Sequence, residues 1–303
     1  MKLTSGGLFI YPVDEVSMLR KYGYVHRPLS PGEWVFNPQR IGAASVNRTG
    51  EPNLLNYRRS NLRQLSANSC VAFAATRAFD VACGMTVDLH LPQYRGVKVE
   101  YLSPQRLYFD ARKWPLRHLS IEDQNLSDDG CYPQDLYEAM ANNGVTSWES
   151  APYSPTTVNK MPPVESYLDS FIHRNIEYRQ IMKGNAVEDI RSSLCHGCPV
   201  TFGMKVDQRF EDFRSSNDSE IIVGIDWKNA VGSHMMTILA DRPDLEAFVV
   251  DNWWQDWGLA DYEGFNGMCL MSYSLFQGPY SDSTLSMFSL NVPRNFVVEW
   301  VIK

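Results

Sequence analysis

Cysteine is scarce, with six residues (Cys70, Cys83, Cys131, Cys195, Cys198 and Cys269) in a chain of 303. So few exclude a disulfide scaffold and fit a reducing compartment. Only Cys195 and Cys198 stand at C-x-x-C spacing, in CHGC. They follow a helical pattern and precede a strand-like run, whereas a redox dithiol opens a helix, and no second pair completes a zinc set. A plain turn is the simpler reading. Basic charge is lacking too: a net charge of −7 and a pI near 5.4 leave no clustered surface for nucleic acid or an anionic membrane. The densest basic stretch, RRSNLR from Arg58 to Arg63, reads as a solvated face. No window nears the ~18 consecutive apolar residues of a membrane span. The opening MKLTSGGLFIYPVDE has a lone lysine, two glycines and an early proline where a secretory signal has an apolar core. A cytoplasmic location is expected. Repeats and low-complexity tracts are absent.

With 44% hydrophobic and 12% aromatic residues, the chain suffices for one large domain or two lobes. Residues 1–52 are turn-rich and read as an N-terminal extension or short prosegment. From Cys70 the run CVAFAATRAFDVAC predicts a helix with Gly84 as its stop signal. Further helices are expected in SPQRLYFDARKW (103–114), PQDLYEAMANNG (133–144) and near 187–194. Strands are expected in PVTFGMKV, HMMTILA, EAFVVDNWW, GMCLMSY and RNFVVEWVI. The expectation is an α+β fold of two lobes, helical over 53–160 and antiparallel β over 161–303, with a cleft between them.

One constellation carries chemistry. A cysteine is a nucleophile as its thiolate, which the first turn of a helix stabilises. Cys70 opens the alanine-rich helix directly after Asn68 and Ser69, both capping residue types. Acyl transfer also needs a base, a group to orient it and an oxyanion donor. His234 opens an apolar strand after Gly-Ser, and Asn252 follows a second such strand before three nearby tryptophans. Two consecutive antiparallel strands would bring their side chains together. His26, His90, His118, His173 and His196 have no partner at metal or triad spacing, so neither metal nor cofactor is expected.

The order Cys70, His234, Asn252, with Gln64 six residues before the cysteine, resembles the papain-like (family C1) cysteine peptidases. Gly130 to Tyr153 is similar to that family's Gly-Gly-Tyr-Pro segment and the helix after it, and Cys198 to Phe213 to its next strand and loop. The resemblance implies a papain-like endopeptidase acting on extended polypeptide. In it Cys70 would attack the scissile carbonyl, His234 would hold the thiolate and protonate the leaving amine, and Asn252 would orient the imidazole under the shield of Trp254. Gln64 and the Cys70 backbone N–H would form the oxyanion hole. Gly130 and Cys131 would pair with substrate backbone, Tyr132 and Pro133 would wall the pocket for the second residue before the cut, and Met235 would line the cleft. Ser69 supports the nucleophile turn. Departures from the family pattern are Ala67 for a cysteine, Val71 for an aromatic, Cys131 for a glycine and NWWQDWG for a longer tryptophan segment. Two other readings share the residues: a catalytically silent papain-fold scaffold, and a thiol acyltransferase or deamidase, which usually carries aspartate third.

Overall fold

The computed structural model describes residues 2–3, 9–10, 23–24, 52–58, 62–97, 99–119, 126–170, 176–217, 219–254, 256–278 and 281–301. Most of segment 1–52, together with His26 and His173, lies outside the described residues. Helices α1 (Cys70–His90), α2 (Pro104–Lys113), α3 (Pro133–Asn143) and α4 (Glu165–Ser170) precede most of the sheet. Next come α5 (Ala186–Cys195), the short α6 (Gln208–Glu211) and, at the end, α7 (Arg294–Val301). The strands are β1 (Lys2–Leu3), β2 (Phe9–Ile10), β3 (Glu177–Gln180), β4 (Val200–Val206), β5 (Arg214–Ser215) and β6 (Ile221–Ile222), then β7 (Gly232–Arg242), β8 (Ala247–Asp251), β9 (Gly258–Leu259), β10 (Met268–Ser272) and β11 (Thr284–Asn291). Nine strands form one sheet in the order β3-β11-β4-β7-β8-β10-β9-β5, with β6 added beside β10. Its long pairs are antiparallel. The α+β expectation holds.

α1 is the central element. Its alanines let neighbours approach closely, and every residue from Cys70 to Cys83 is buried. Contrary to the expected stop at Gly84, the helix runs on to His90. Glycine costs a helix interior only about 1 kcal/mol, and burial of Met85, Thr86 and Val87 beyond it outweighs that. One 18-residue window of α1 is apolar enough to cross a membrane by length and composition, which the sequence reading did not anticipate, yet 94% of it is buried inside the fold. α1 lies on β7, where the Thr237 hydroxyl donates to the Ala74 carbonyl at 3.1 Å.

RNFVVEWVI, read as a strand, is helix α7. Among its described side chains Phe296, Val297 and Trp300 are buried, one helical face, while Val298, which strand alternation would bury with Phe296 and Trp300, is half-buried. That face covers Phe79 of α1, with ring centroids 5.5 and 5.4 Å away. The sequence reading passed over β11 because buried Thr284, Ser286 and Ser289 interrupt its apolar pattern. CHGC is a turn between α5 and β4, and all six cysteines remain thiols.

The RRSNLR stretch is not wholly a solvated face, since Arg58 is only 6% exposed. Its Nη2 lies 3.0 Å from Oδ1 of Asp251, the last residue of β8. Arg77 of α1 meets Oδ2 of the same carboxylate at 2.5 Å through Nε and reaches Asp80 at 3.2 Å. Burial lowers the Arg77 pKa and the Asp251 charge opposes it. Breaking a buried pair strands the remaining charge, at about 3–5 kcal/mol, whereas an exposed pair contributes about 0–1 kcal/mol. Asp251→Ala should therefore lower the unfolding free energy in urea by about 3–5 kcal/mol, and Asp88→Ala, removing the exposed Arg95 pair, by no more than about 1 kcal/mol.

Candidate active site

Cys70 is the first residue of α1 and has no exposed surface. Ser69 is the N-cap by position only. Its side chain caps nothing; Oγ lies 2.9 Å from the Tyr153 hydroxyl, and its carbonyl accepts from Ala72 and Phe73. The turn before it is held from elsewhere. The Asn68 N–H donates to both carboxylate oxygens of Asp128, at 2.9 and 3.2 Å, and Tyr108 donates to the same group at 2.7 Å. Asp128, in the connection between α2 and α3, thus braces the turn before Cys70. Gln64 is buried, and its Nε2 donates to the Ala67 carbonyl at 2.7 Å. One amide hydrogen is thus committed inside the turn, and Leu65, at φ +58°, reverses the chain beside it.

His234, on β7, and Asn252, just past β8, meet because the two strands are antiparallel neighbours. His234 Nε2 stands 2.8 Å from Asn252 Oδ1, and the Trp253 backbone N–H donates to that same oxygen at 2.8 Å. A backbone N–H can only donate, so the shared atom is the amide oxygen. An oxygen of this kind only accepts, so Nε2 carries the proton. That leaves Nδ1 as the ring nitrogen able to take a proton from a thiol. The Trp254 ring lies over the imidazole, with centroids 4.2 Å apart and planes 31° apart, and is 4% exposed. The Met235 N–H, next along from His234, reaches the Cys70 thiol. Cys70 and His234 therefore share one locus.

Two residues from the N-terminal segment occupy that locus. The Gly23 N–H donates to Cys70 Sγ at 3.2 Å, and the Gly23 carbonyl accepts from the Cys131 N–H at 2.9 Å. Tyr24 forms a parallel bridge with Cys131. The fit needs glycine at 23, because a Cβ there would stand 1.6 Å from the Asn68 carbonyl oxygen. Burial pushes the Cys70 thiol up to about 12, outweighing the backbone N–H groups of Met235, Gly23, Val71 and Cys70 that pull it down.

No family model and no curated protein matches the sequence. Solved structures do match. Xylellain, a cysteine protease from Xylella fastidiosa, superposes with a TM-score of 0.66 at 17% identity, over 90% of this chain and 96% of that one. Digestive procathepsin L 3 of the Tenebrio molitor larval midgut gives 0.61 at 11% identity, over 92% and 77%. Procathepsin B from Trypanosoma congolense gives 0.58 at 14% identity, over 92% and 89%. The fold is papain-like.

Gly130, at φ +86°, lies so near Gly23 that a Cβ would stand 2.2 Å from its carbonyl oxygen. Cys131 has an ordinary negative φ, so a side chain sits where the resemblance expects glycine without backbone strain. Burial first and Cys70 second raise its thiol pKa. Met235 is buried on β7 opposite Gly203 of β4. Tyr132 precedes α3 and lines, with Gly130 and Cys131, a cavity of about 350 Å³, while Pro133 is buried as the first residue of α3. A larger cavity of about 460 Å³ adjoins Asn252 and Trp254 and includes Arg63 and Arg214. Sequence reasoning missed Tyr24, Asp128, Asp251 and Ser286. No local pattern marks them, because each acts on residues distant in the chain.

A thiol held at about 12 has a thiolate fraction that grows ten-fold per pH unit below that value. Alkylation of Cys70 in the intact chain should therefore rise in proportion to hydroxide from pH 6 to 9. Peptide mapping after iodoacetamide measures this, and an inflection near the ordinary thiol pKa would contradict it.

Proposed function

We propose that the chain is a papain-like cysteine endopeptidase whose site is covered by Gly23 and Tyr24. The observation that carries the reading is the His234–Asn252 contact at 2.8 Å, with its proton fixed on Nε2 and the helix-opening Cys70 against the same strand. Once uncovered, Cys70 gives its proton to His234 Nδ1 and the sulfur attacks the scissile carbonyl carbon of an extended polypeptide. The developing oxyanion is received by the Cys70 backbone N–H and the side-chain amide of Gln64. The imidazolium returns the proton to the leaving nitrogen as the C–N bond breaks, leaving a thioester. Water, deprotonated by His234, then attacks that thioester, releases the acid and restores the thiol. Asn252 holds the ring in plane throughout, and Trp254 keeps water from their bond.

The covering segment supports latency. What faces the sulfur is the Gly23 N–H, a donor. Uncovering restores solvation and the pairing with His234, both of which favour the thiolate.

Gly23→Ala in the full-length chain should displace the segment. Intact-mass labelling by an epoxysuccinyl inhibitor should then accelerate by at least about ten-fold at pH 7, with one adduct that Cys70→Ala abolishes. Fluorogenic peptide hydrolysis should appear in parallel, and Gln64→Ala should reduce its turnover by about 100-fold. Labelling without hydrolysis of any peptide would favour the silent scaffold, and transfer to an added amine in preference to water would favour the acyltransferase.

A further inference from the structure

Strands β11, β4 and β7 lie side by side, and one row across them reads Ser286, Gly203, Met235. Residues paired across neighbouring strands share a face. This row is the floor beneath Tyr24. The Tyr24 ring lies so close to the Gly203 Cα that a Cβ there would stand 2.3 Å from Cε2 and 2.6 Å from Cζ. Any residue larger than glycine at 203 would fill the space the ring takes. At the far end the Tyr24 hydroxyl meets Ser286 Oγ at 2.8 Å. Tyr24 is 6% exposed and Ser286 2%, so neither hydroxyl has bulk water as an easy alternative partner.

Ser286 reaches this place through a break in register. Pairing of β11 with β4 passes from Thr284 opposite Met204 to Ser286 opposite Gly203, so two steps on β11 match one on β4, with Leu285 as the extra residue. A bulge of this kind re-aims the side chain after it. The pocket also has a defined position relative to the chemistry. Gly23 stands at the Cys70 sulfur, and Tyr24 is the next residue outward, bridged to Cys131. Tyr24 follows Gly23, so the covering segment runs outward from the thiol in the direction opposite to a substrate whose pocket residue precedes the cut, and what the two share is the side-chain position beside Cys131.

We infer that this pocket selects tyrosine at the second residue before the cut, with Gly203 supplying the room for the ring and Ser286 reading the phenolic hydroxyl. The inference rests on the peptidase reading for the word cut, but the selectivity is a property of the pocket itself. Phenylalanine fits the same space yet strands the buried Ser286 hydroxyl, and branched aliphatic side chains leave the space over Gly203 unfilled. Losing one such hydrogen bond corresponds to about three- to ten-fold in affinity.

The test uses full-length Gly23→Ala with two readouts. The first is the binding, by fluorescence anisotropy, of labelled acyl-dipeptide amides carrying Tyr, Phe or Leu in that position to a Gly23→Ala, Cys70→Ala chain, which needs no catalysis. The second is kcat/KM for the matching fluorogenic peptides. Tyrosine should exceed phenylalanine by about three- to ten-fold in both. Ser286→Ala should bring the Tyr/Phe ratio to about one, by weakening tyrosine and relieving the stranded hydroxyl beneath phenylalanine, and Gly203→Val should reverse the preference in favour of leucine. Equal binding of Tyr and Phe, or a Tyr/Phe ratio that survives Ser286→Ala, overturns the inference. Selective binding without hydrolysis of any peptide would keep the pocket assignment and overturn the peptidase reading instead.

Discussion

The packing of α1 on β7 is the constraint on which the rest depends. Cys70 belongs to the helix and His234 to the strand, and they come to one locus because alanine-rich α1 lies closely against the sheet, pinned by Thr237 to Ala74 at 3.1 Å. The same contact carries Arg77 to Asp251, one residue before Asn252. Helix, base and orienting amide are thus fixed by one buried junction. A small shift of α1 would move the nucleophile and strain the ion pair together, which links the stability of the core to the geometry of the site.

Occupancy of the cleft by Gly23 and Tyr24 changes what that geometry can do. A helix N-terminus and several backbone N–H groups favour a thiolate, yet burial outweighs them and the thiol pKa rises to about 12. Cys70 is thus held as the thiol. Two close approaches make the cover specific, Gly23 against the Asn68 carbonyl and Tyr24 over Gly203. Both use missing Cβ atoms, so any side chain at either glycine would push the segment off this surface.

Much of this was legible in the sequence, and the misses have physical causes. Helices α1, α2, α3 and α5 and strands β4, β7, β8 and β10 follow from periodicity and capping. RNFVVEWVI was not, because β-branched residues favour strand in isolation, while here Phe79 offers a surface that only a helical face of Phe296, Val297 and Trp300 can cover. β11 escaped because its inward serine and threonine are polar, and their value as pocket and hydrogen-bonding groups exists only in the folded sheet. Ser69 reads as a cap, but Tyr153 offers its hydroxyl a tertiary partner instead.

The sequence by itself determined the α+β class, the helix that Cys70 opens and the order of Gln64, Cys70, His234 and Asn252, because residue spacing and local propensity act along the chain. Only the tertiary structure decided which imidazole nitrogen holds the proton, that Asp128 and Asp251 brace the site, and that Tyr24 lies over Gly203 against Ser286. Those depend on contacts between residues far apart in the chain, where burial and a few tenths of an ångström set the outcome and no local pattern records it.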